Sequence, residues 1–178
     1  MRLENEGAGS GRAILATLAY TACRAGAVAR LRLQDFQYDG EQYVLRFQEK
    51  GGKSREIPVR LDLQRIILAY LDATGLRTEP KDSPLFRSTR RKTKQLTGKS
   101  LTSKAICELV KRRLKDAGLP TRLSPHSFRV TAITSLLEQG VPMEDVQYLA
   151  GHADPRTTRL YDRRRRKVTR NIVERISI

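Results

Sequence analysis

Leu149-Ala150-Gly151-His152-Ala153-Asp154-Pro155-Arg156-Thr157-Thr158-Arg159-Leu160-Tyr161 is the stretch on which the reading of this chain turns. It holds one of only two histidines and ends in a tyrosine. The basic run Arg163-Arg164-Arg165-Arg166-Lys167 follows one residue later. A phenol is a poor nucleophile in water, with a pKa of about 10. Set among cations, where an anionic substrate comes to rest, it becomes a better one. The plain alternative is a packed helix tyrosine beside a solvated basic segment. Asp154-Pro155 reads as a helix start, which puts Tyr161 on a last helix. The residues upstream decide between the two readings.

The chain has 178 residues, enough for one domain with a real core. At 39% hydrophobic residues it is not a disordered tail. Lys and Arg number 35 against 19 Asp and Glu, a formal net charge of +16. Such an excess favours a polyanion as partner, DNA or RNA by default. A membrane surface is the competitor, but it calls for one basic amphipathic helix, whereas the charge here is spread along the chain. No apolar run approaches a membrane span, and the first residues lack a signal-peptide core. Cys23 and Cys107 sit in apolar surroundings and read as buried thiols of a reducing compartment. Neither the cysteines nor the histidines have metal-ligand spacing, and no Gly-rich nucleotide loop is present. The expectations are no metal, no cofactor, no membrane partner, and work in the cytoplasm at the nucleoid.

Hydrophobic spacing gives a mostly helical α+β chain with one small three-stranded antiparallel sheet in the N-terminal third. Residues 1–10 read as a linker, with Ser10 as the N-cap of a first helix ending near Arg24-Ala25-Gly26. A short helix holding Val28 and Leu31 follows. Strands are expected at 33–36, 42–48 and 55–59, with Tyr43, Leu45 and Phe47 inward and Val44 and Arg46 outward. Lys50-Gly51-Gly52-Lys53 makes the tight turn between the last two. Asp62 caps a helix to Ala73, and residues 74–100 read as loop around Pro84-Leu85-Phe86. Helices then open at Thr102 or Ser103, at Ser124-Pro125 and at Pro142, and stop near Gly118, Gly140 and Leu149.

His126 and Arg129 lie three apart in the first turns of the helix opened by Ser124-Pro125, so both point to one side. Free backbone N–H groups and the helix dipole favour an anion there. The ordinary reading of a His-x-x-Arg is a capping or core histidine and a surface arginine. Arg24, beside Cys23 and Ala25 at a helix end, is unremarked on its own.

Taken in order, Arg24, a hairpin lysine, His126-Ser127-Phe128-Arg129, Gly151-His152 and Thr157-Thr158-Arg159-Leu160-Tyr161 resemble the signature of the tyrosine recombinases, the phage-integrase family. The likeness covers residues 11–165, and residues 11–178 would be the catalytic domain. It implies attack of Tyr161 on a DNA phosphodiester, a 3′-phosphotyrosyl link and a released 5′-hydroxyl, reversed by a 5′-hydroxyl of another strand. Neither metal nor ATP is implied. Arg24 and Arg129 would clamp the non-bridging oxygens as planar forks. His126 would assist proton transfer from the tyrosine or donate to the phosphate, His152 would hydrogen-bond a non-bridging oxygen, and Lys50 would protonate the leaving 5′-oxygen, with Lys53 its rival. Two departures stand out: Glu49 replaces a frequent glycine before the hairpin lysine, and Ala27 replaces a frequent acid three after the first arginine.

Lys53, Arg87, Arg90, Arg91, Lys92, Lys94, Lys99, Arg163 and Arg164 are expected to bind DNA phosphates. Lys111-Arg112-Arg113 and Lys115 add charge on the following helix. Ile172, Val173, Ile176 and Ile178 either plug a neighbouring subunit or pack on their own domain. The resemblance further implies double-stranded DNA as partner and a homotetramer on it, with the present chain alone monomeric and without the family's N-terminal clamp domain. DNA relaxation of the type IB topoisomerase kind, and a DNA-binding module without catalysis, are the competing functions.

Overall fold

The computed structural model describes residues 3–48, 54–90, 93 and 95–162, with residues 3–8 described by their backbone alone. It is the expected α+β arrangement. Helix α1 (Leu3–Thr21) and the short α2 (Ala25–Arg30) precede strands β1 (Phe36–Tyr38), β2 (Tyr43–Gln48) and β3 (Ser54–Pro58). Helix α3 (Leu61–Thr74), strands β4 (Arg87–Thr89) and β5 (Leu96–Ser100), and helices α4 (Ser103–Asp116), α5 (Pro125–Glu138), α6 (Met143–Ala150) and α7 (Pro155–Arg159) follow. The three-stranded sheet has the order β1-β2-β3, antiparallel throughout. No helix among the described residues is long and apolar enough to cross a membrane.

Six local expectations are corrected. Leu33–Asp35 is a 3-10 turn, and the first strand runs over Phe36–Tyr38 instead of 33–36. Arg60, not Asp62, stands at the N-cap of α3, and Asp62 lies in its first turn. Helix α1 starts at Leu3, so Ser10 is a buried residue within it and caps nothing. Burial of Ser10, Ala13 and Ile14 outweighs the weak helix propensity of the Gly-Ala-Gly-Ser stretch. Arg87–Thr89 and Leu96–Ser100 are not loop: they pair as β4 and β5 in a second small sheet, with Arg87 opposite Ser100. Polar strands without alternation leave no periodic trace in a sequence. Val44 is buried along with Leu45 and Phe47, because side chains pack on both faces of β2. Cys107 is half-buried rather than enclosed.

Two apolar clusters hold the chain. The larger joins α1, α2, the three-stranded sheet, α3 and α4 through residues such as Ile14, Leu18, Val28, Leu45, Phe47, Ile67 and Ile106. The smaller consists of Ala22, Ile133, Leu137, Val146 and Ala150, with Tyr161 packed against it. The seam falls between consecutive residues, since Ala22 belongs to the smaller cluster and Cys23 to the larger. At that seam α1 has to stop abruptly. Ala22 takes a left-handed conformation at φ 52°, the only positive φ outside glycine among the described residues. Just before it, the Thr17 and Thr21 hydroxyls bond back to Ala13 O at 2.8 Å and Thr17 O at 2.6 Å.

A left-handed L-residue costs about 1–2 kcal/mol, and glycine escapes that cost. Ala22→Gly relieves that strain but gives up a buried methyl and adds freedom to the unfolded chain, each worth up to about 1 kcal/mol, so its Tm should stay within about 4 °C of the parent. Ala22→Val, with a branched Cβ at a fully buried left-handed position, should lower it by more. Thermal denaturation of the three chains checks the order.

Candidate active site at the seam of two cores

Helix α5 is placed by its own opening residues. Ser124 is extended (φ −152°, ψ 176°), Pro125 is the first helical residue, and the Ser127 hydroxyl accepts from the Ser124 N–H at 3.1 Å. His126 and Arg129 share the side expected of them but not an environment. His126 is exposed, whereas Arg129 is 2% exposed. Arg129 Nη1 donates to the Ala22 carbonyl at 2.5 Å, which ties α5 to the left-handed turn at the end of α1. Nη2 is equally buried and meets no acceptor among the described residues. Burial, chiefly, and the neighbouring Arg24 push the Arg129 pKa down to about 10, while the Tyr161 phenol acts in the opposite sense. The guanidinium thus stays charged near neutral pH with a donor unused. A buried donor without a partner is expensive and calls for a ligand to explain it.

Arg129 lines a cavity of about 340 Å³ together with Cys23, Arg24, Lys111, Ser124 and His126, among others. Three cationic side chains and the first turn of α5 face one space, an electrostatic arrangement made for an anion. The Cys23 thiol, pushed up to about 11 mainly by burial, forms a neutral wall and not a nucleophile. Among the described residues no group of three or more His, Cys, Asp or Glu side chains is placed to hold a metal ion.

The stretch from Leu149 to Tyr161 folds back on itself to complete the site. Helix α6 ends at Gly151 in the left-handed conformation (φ 61°), and the chain turns inward. His152 is 6% exposed, its N–H bonds Gln147 O at 3.1 Å, and its carbonyl accepts from Gln147 Nε2 at 3.1 Å. Its Nδ1 lies 2.9 Å from the fully buried Thr158 Oγ1. The Thr158 carbonyl in turn accepts from the Tyr161 N–H at 3.0 Å. Asp154 caps α7 by accepting from Arg156 N at 2.9 Å. Tyr161 stands in the turn just beyond α7 rather than within it, and its ring stacks on His152 at 5.8 Å and 10°. The spacing of Thr158 and Tyr161 is explained: one threonine holds both the imidazole and the tyrosine backbone.

His152 is pushed down to about 4 from 6.5, first by burial and then by Arg129, Arg24, Arg55 and His126. Near neutral pH it is a neutral imidazole among cations. The tautomer and the Thr158 bond are coupled: in the form where the hydroxyl donates to Nδ1, the proton sits on Nε2 and is available to a ligand.

The structure brings Arg24, His126, Arg129, His152 and Tyr161 together. Lys50, Lys53, Arg91, Lys92, Lys94, Arg163 and Arg164, and the apolar residues 172–178, lie outside the described residues. Of the expected DNA contacts, Arg90 and Lys99 are exposed at the β4–β5 pair. Arg87 is less open: its side chain is 10% exposed and its Nη2 donates to Glu79 at 2.9 Å. Two contributors, Ala22 and Arg55, went unread in the sequence, and a third, Lys111, was read only as added charge on a helix. Lys111 faces the cavity from α4, which only packing reveals. Ala22 offers a carbonyl, and a carbonyl has no sequence signal. Arg55 is 6% exposed on β3, and period-two parity with Ile57 marks it as inward.

The depressed His152 pKa has a stability consequence. The unfolded chain binds this proton from about pH 6.5 downward, the folded one only near pH 4. Stability is lost as pH falls through that window, by at most about 1.4 kcal/mol per pH unit. His152→Gln removes this contribution, so its Tm should fall less steeply than wild type between about pH 7 and 4.5. Parallel curves would refute the assignment.

The comparisons with known proteins fit this geometry. Tyrosine recombinase XerA of Pyrococcus furiosus is 32% identical over 168 residues, 94% of this chain and 54% of that protein. Tyrosine recombinase XerD of Bifidobacterium longum is 31% identical over 150 residues, covering 84% of this chain and 48% of that protein. The chain thus spans about half the length of the curated relatives it matches. The crystal structure of XerA recombinase superposes with a TM-score of 0.72 at 26% identity, over 97% of this chain and 59% of that one. XerH site-specific recombinase, in a post-cleavage complex with a palindromic difH substrate, also reaches 0.72, covering 90% of this chain and 45% of that one. At 21% identity its likeness is one of fold. The Phage integrase family model matches residues 4–167, and the chain belongs to that family.

Proposed function

We propose that this chain cleaves and rejoins duplex DNA at specific sites, with Tyr161 as nucleophile. The observation that carries the reading is Arg129: a buried, charged guanidinium with one nitrogen unused, at a cationic cavity beside a tyrosine held by its own histidine. A phosphodiester supplies the missing acceptor, and the developing charge of the phosphoryl transition state is what such fixed donors stabilise.

In this mechanism the Tyr161 Oη attacks phosphorus, and its proton passes to His126. Arg24 and Arg129 hold the non-bridging oxygens. His152, neutral and held by Thr158, donates Nε2–H to one of them. The P–O5′ bond breaks, and the 5′-oxygen takes a proton from Lys50, with Lys53 the alternative donor. The phosphotyrosyl bond conserves the energy of the diester, so the cycle needs neither a metal nor ATP. Attack by a 5′-hydroxyl from another duplex completes an exchange. Exchange between duplexes takes more than one nucleophile, so several copies would assemble on DNA. Arg90 and Lys99 would hold the DNA backbone. The relatives named above are recombinases, which favours exchange over supercoil relaxation or binding without chemistry.

The test is covalent capture. A pool of nicked suicide duplexes, from which the 5′-hydroxyl fragment escapes after cleavage, should yield a protein–DNA adduct on a denaturing gel. Tyr161→Phe should abolish it, and an undiminished adduct in that variant would sink the assignment. Arg129→Lys keeps the charge but loses the fork, and should slow adduct formation by about 100-fold or more.

A further inference from the structure

Arg55 is a charged residue turned into the protein by the pleat of β3. It pairs across the sheet with Phe47 of β2, and its guanidinium lies 5.1 Å from that ring's centroid. A guanidinium so enclosed needs acceptors. Arg55 Nη1 donates to the Leu149 carbonyl and, at 3.3 Å, to the Tyr148 carbonyl. Both belong to the last turn of α6, where carbonyls lack helical partners and the dipole favours a cation. A second tie runs alongside, from the Tyr148 hydroxyl to the Glu56 carbonyl at 3.4 Å.

What α6 leads into makes this contact more than a buried ion. The Tyr148 carbonyl also accepts from the Gly151 N–H at 3.0 Å, so Arg55 holds the turn that delivers His152. From His152 the chain of contacts continues to Thr158 and from Thr158 to Tyr161. We propose that Arg55 is a positioning residue: it clamps the end of α6 to β3, and so fixes the ring of His152 and the stance of Tyr161. It reaches these groups through backbone carbonyls, not by touching the reacting atoms. The consequence for cleavage rests on the recombinase reading above; the consequence for geometry does not.

The full chain has two histidines, so ring resonances of His126 and His152 can be followed separately by NMR. In Arg55→Met the His152 ring signals should shift and broaden, and the Gly151 and His152 amides should exchange faster, with His126 unmoved. Arg46→Met, which breaks the neighbouring 2.5 Å pair with Glu56, should move neither. Arg55→Lys keeps a cation but loses the planar guanidinium that lies over Phe47 and aims Nη1 at the two carbonyls, and should restore the His152 signals in part. If Arg55→Met does not fold, Arg55→Lys decides: faster exchange at Gly151 and His152 supports the clamp, and wild-type rates overturn it. A folded Arg55→Met chain with wild-type His152 signals also overturns it. In adduct formation, the misplacement should cost Arg55→Met up to about 100-fold in rate while DNA affinity changes little. Shifted His152 signals in Arg55→Met, together with a wild-type chain that forms no adduct, would reject the recombinase reading and leave the clamp standing.

Discussion

A guanidinium sealed from water with one nitrogen still unbonded is the constraint around which this fold is arranged. Arg129 is destabilising where it stands unless something repays it. The Ala22 carbonyl takes one of its N–H donors, at 2.5 Å, and only because Ala22 turns left-handed and aims that carbonyl across the seam. The turn is held in place by two cores that part between Ala22 and Cys23. Helix stop, seam and arginine are therefore one feature. The unpartnered Nη2 is left for the proposed phosphate.

The same seam explains the electrostatics. Arg24, Arg129 and Arg55 all act on His152, and all push its pKa down together with burial. An imidazole in that company cannot hold a second proton near neutral pH. It is a hydrogen-bond donor with a fixed orientation, not another cation. In the mechanism proposed above, proton transfer falls to His126 and to Lys50 or Lys53. Neutrality at His152 follows from its burial and from the cations around it.

Support for the site comes from elements that contribute no chemistry. Thr158 holds the imidazole and the Tyr161 backbone at once. Gly151 lets the chain double back in a left-handed turn that a side chain would strain. Arg55 anchors the end of α6 from the sheet. Each converts a flexible contact into a rigid one, and rigidity matters most where reacting atoms have to meet within fractions of an ångström.

Much of this was legible in the sequence. Amphipathic spacing, Ser124-Pro125, Gly140 and Asp154-Pro155 place α3 to α7 within a residue or two, because local periodicity and caps are local physics. The β4–β5 pair was not legible, since its polar strands follow no alternation, and the start of α1 was not, since burial overrides propensity there. The candidate residues were read from their order and type, which encode chemistry. Their depth was not. That Arg129 is buried and His126 exposed, three residues apart on one helix, depends on which neighbours cover each. Arg87 and Lys99 look alike as basic residues, yet one is mostly covered and paired with Glu79 and the other is open to solvent. Sequence by itself determined the α+β class, the helical frame and the set of groups that can handle a phosphate, because these follow from residue types and their spacing. Only the tertiary structure decided which groups are charged, neutral or unpartnered, because desolvation and backbone carbonyls are supplied by residues far away in the chain.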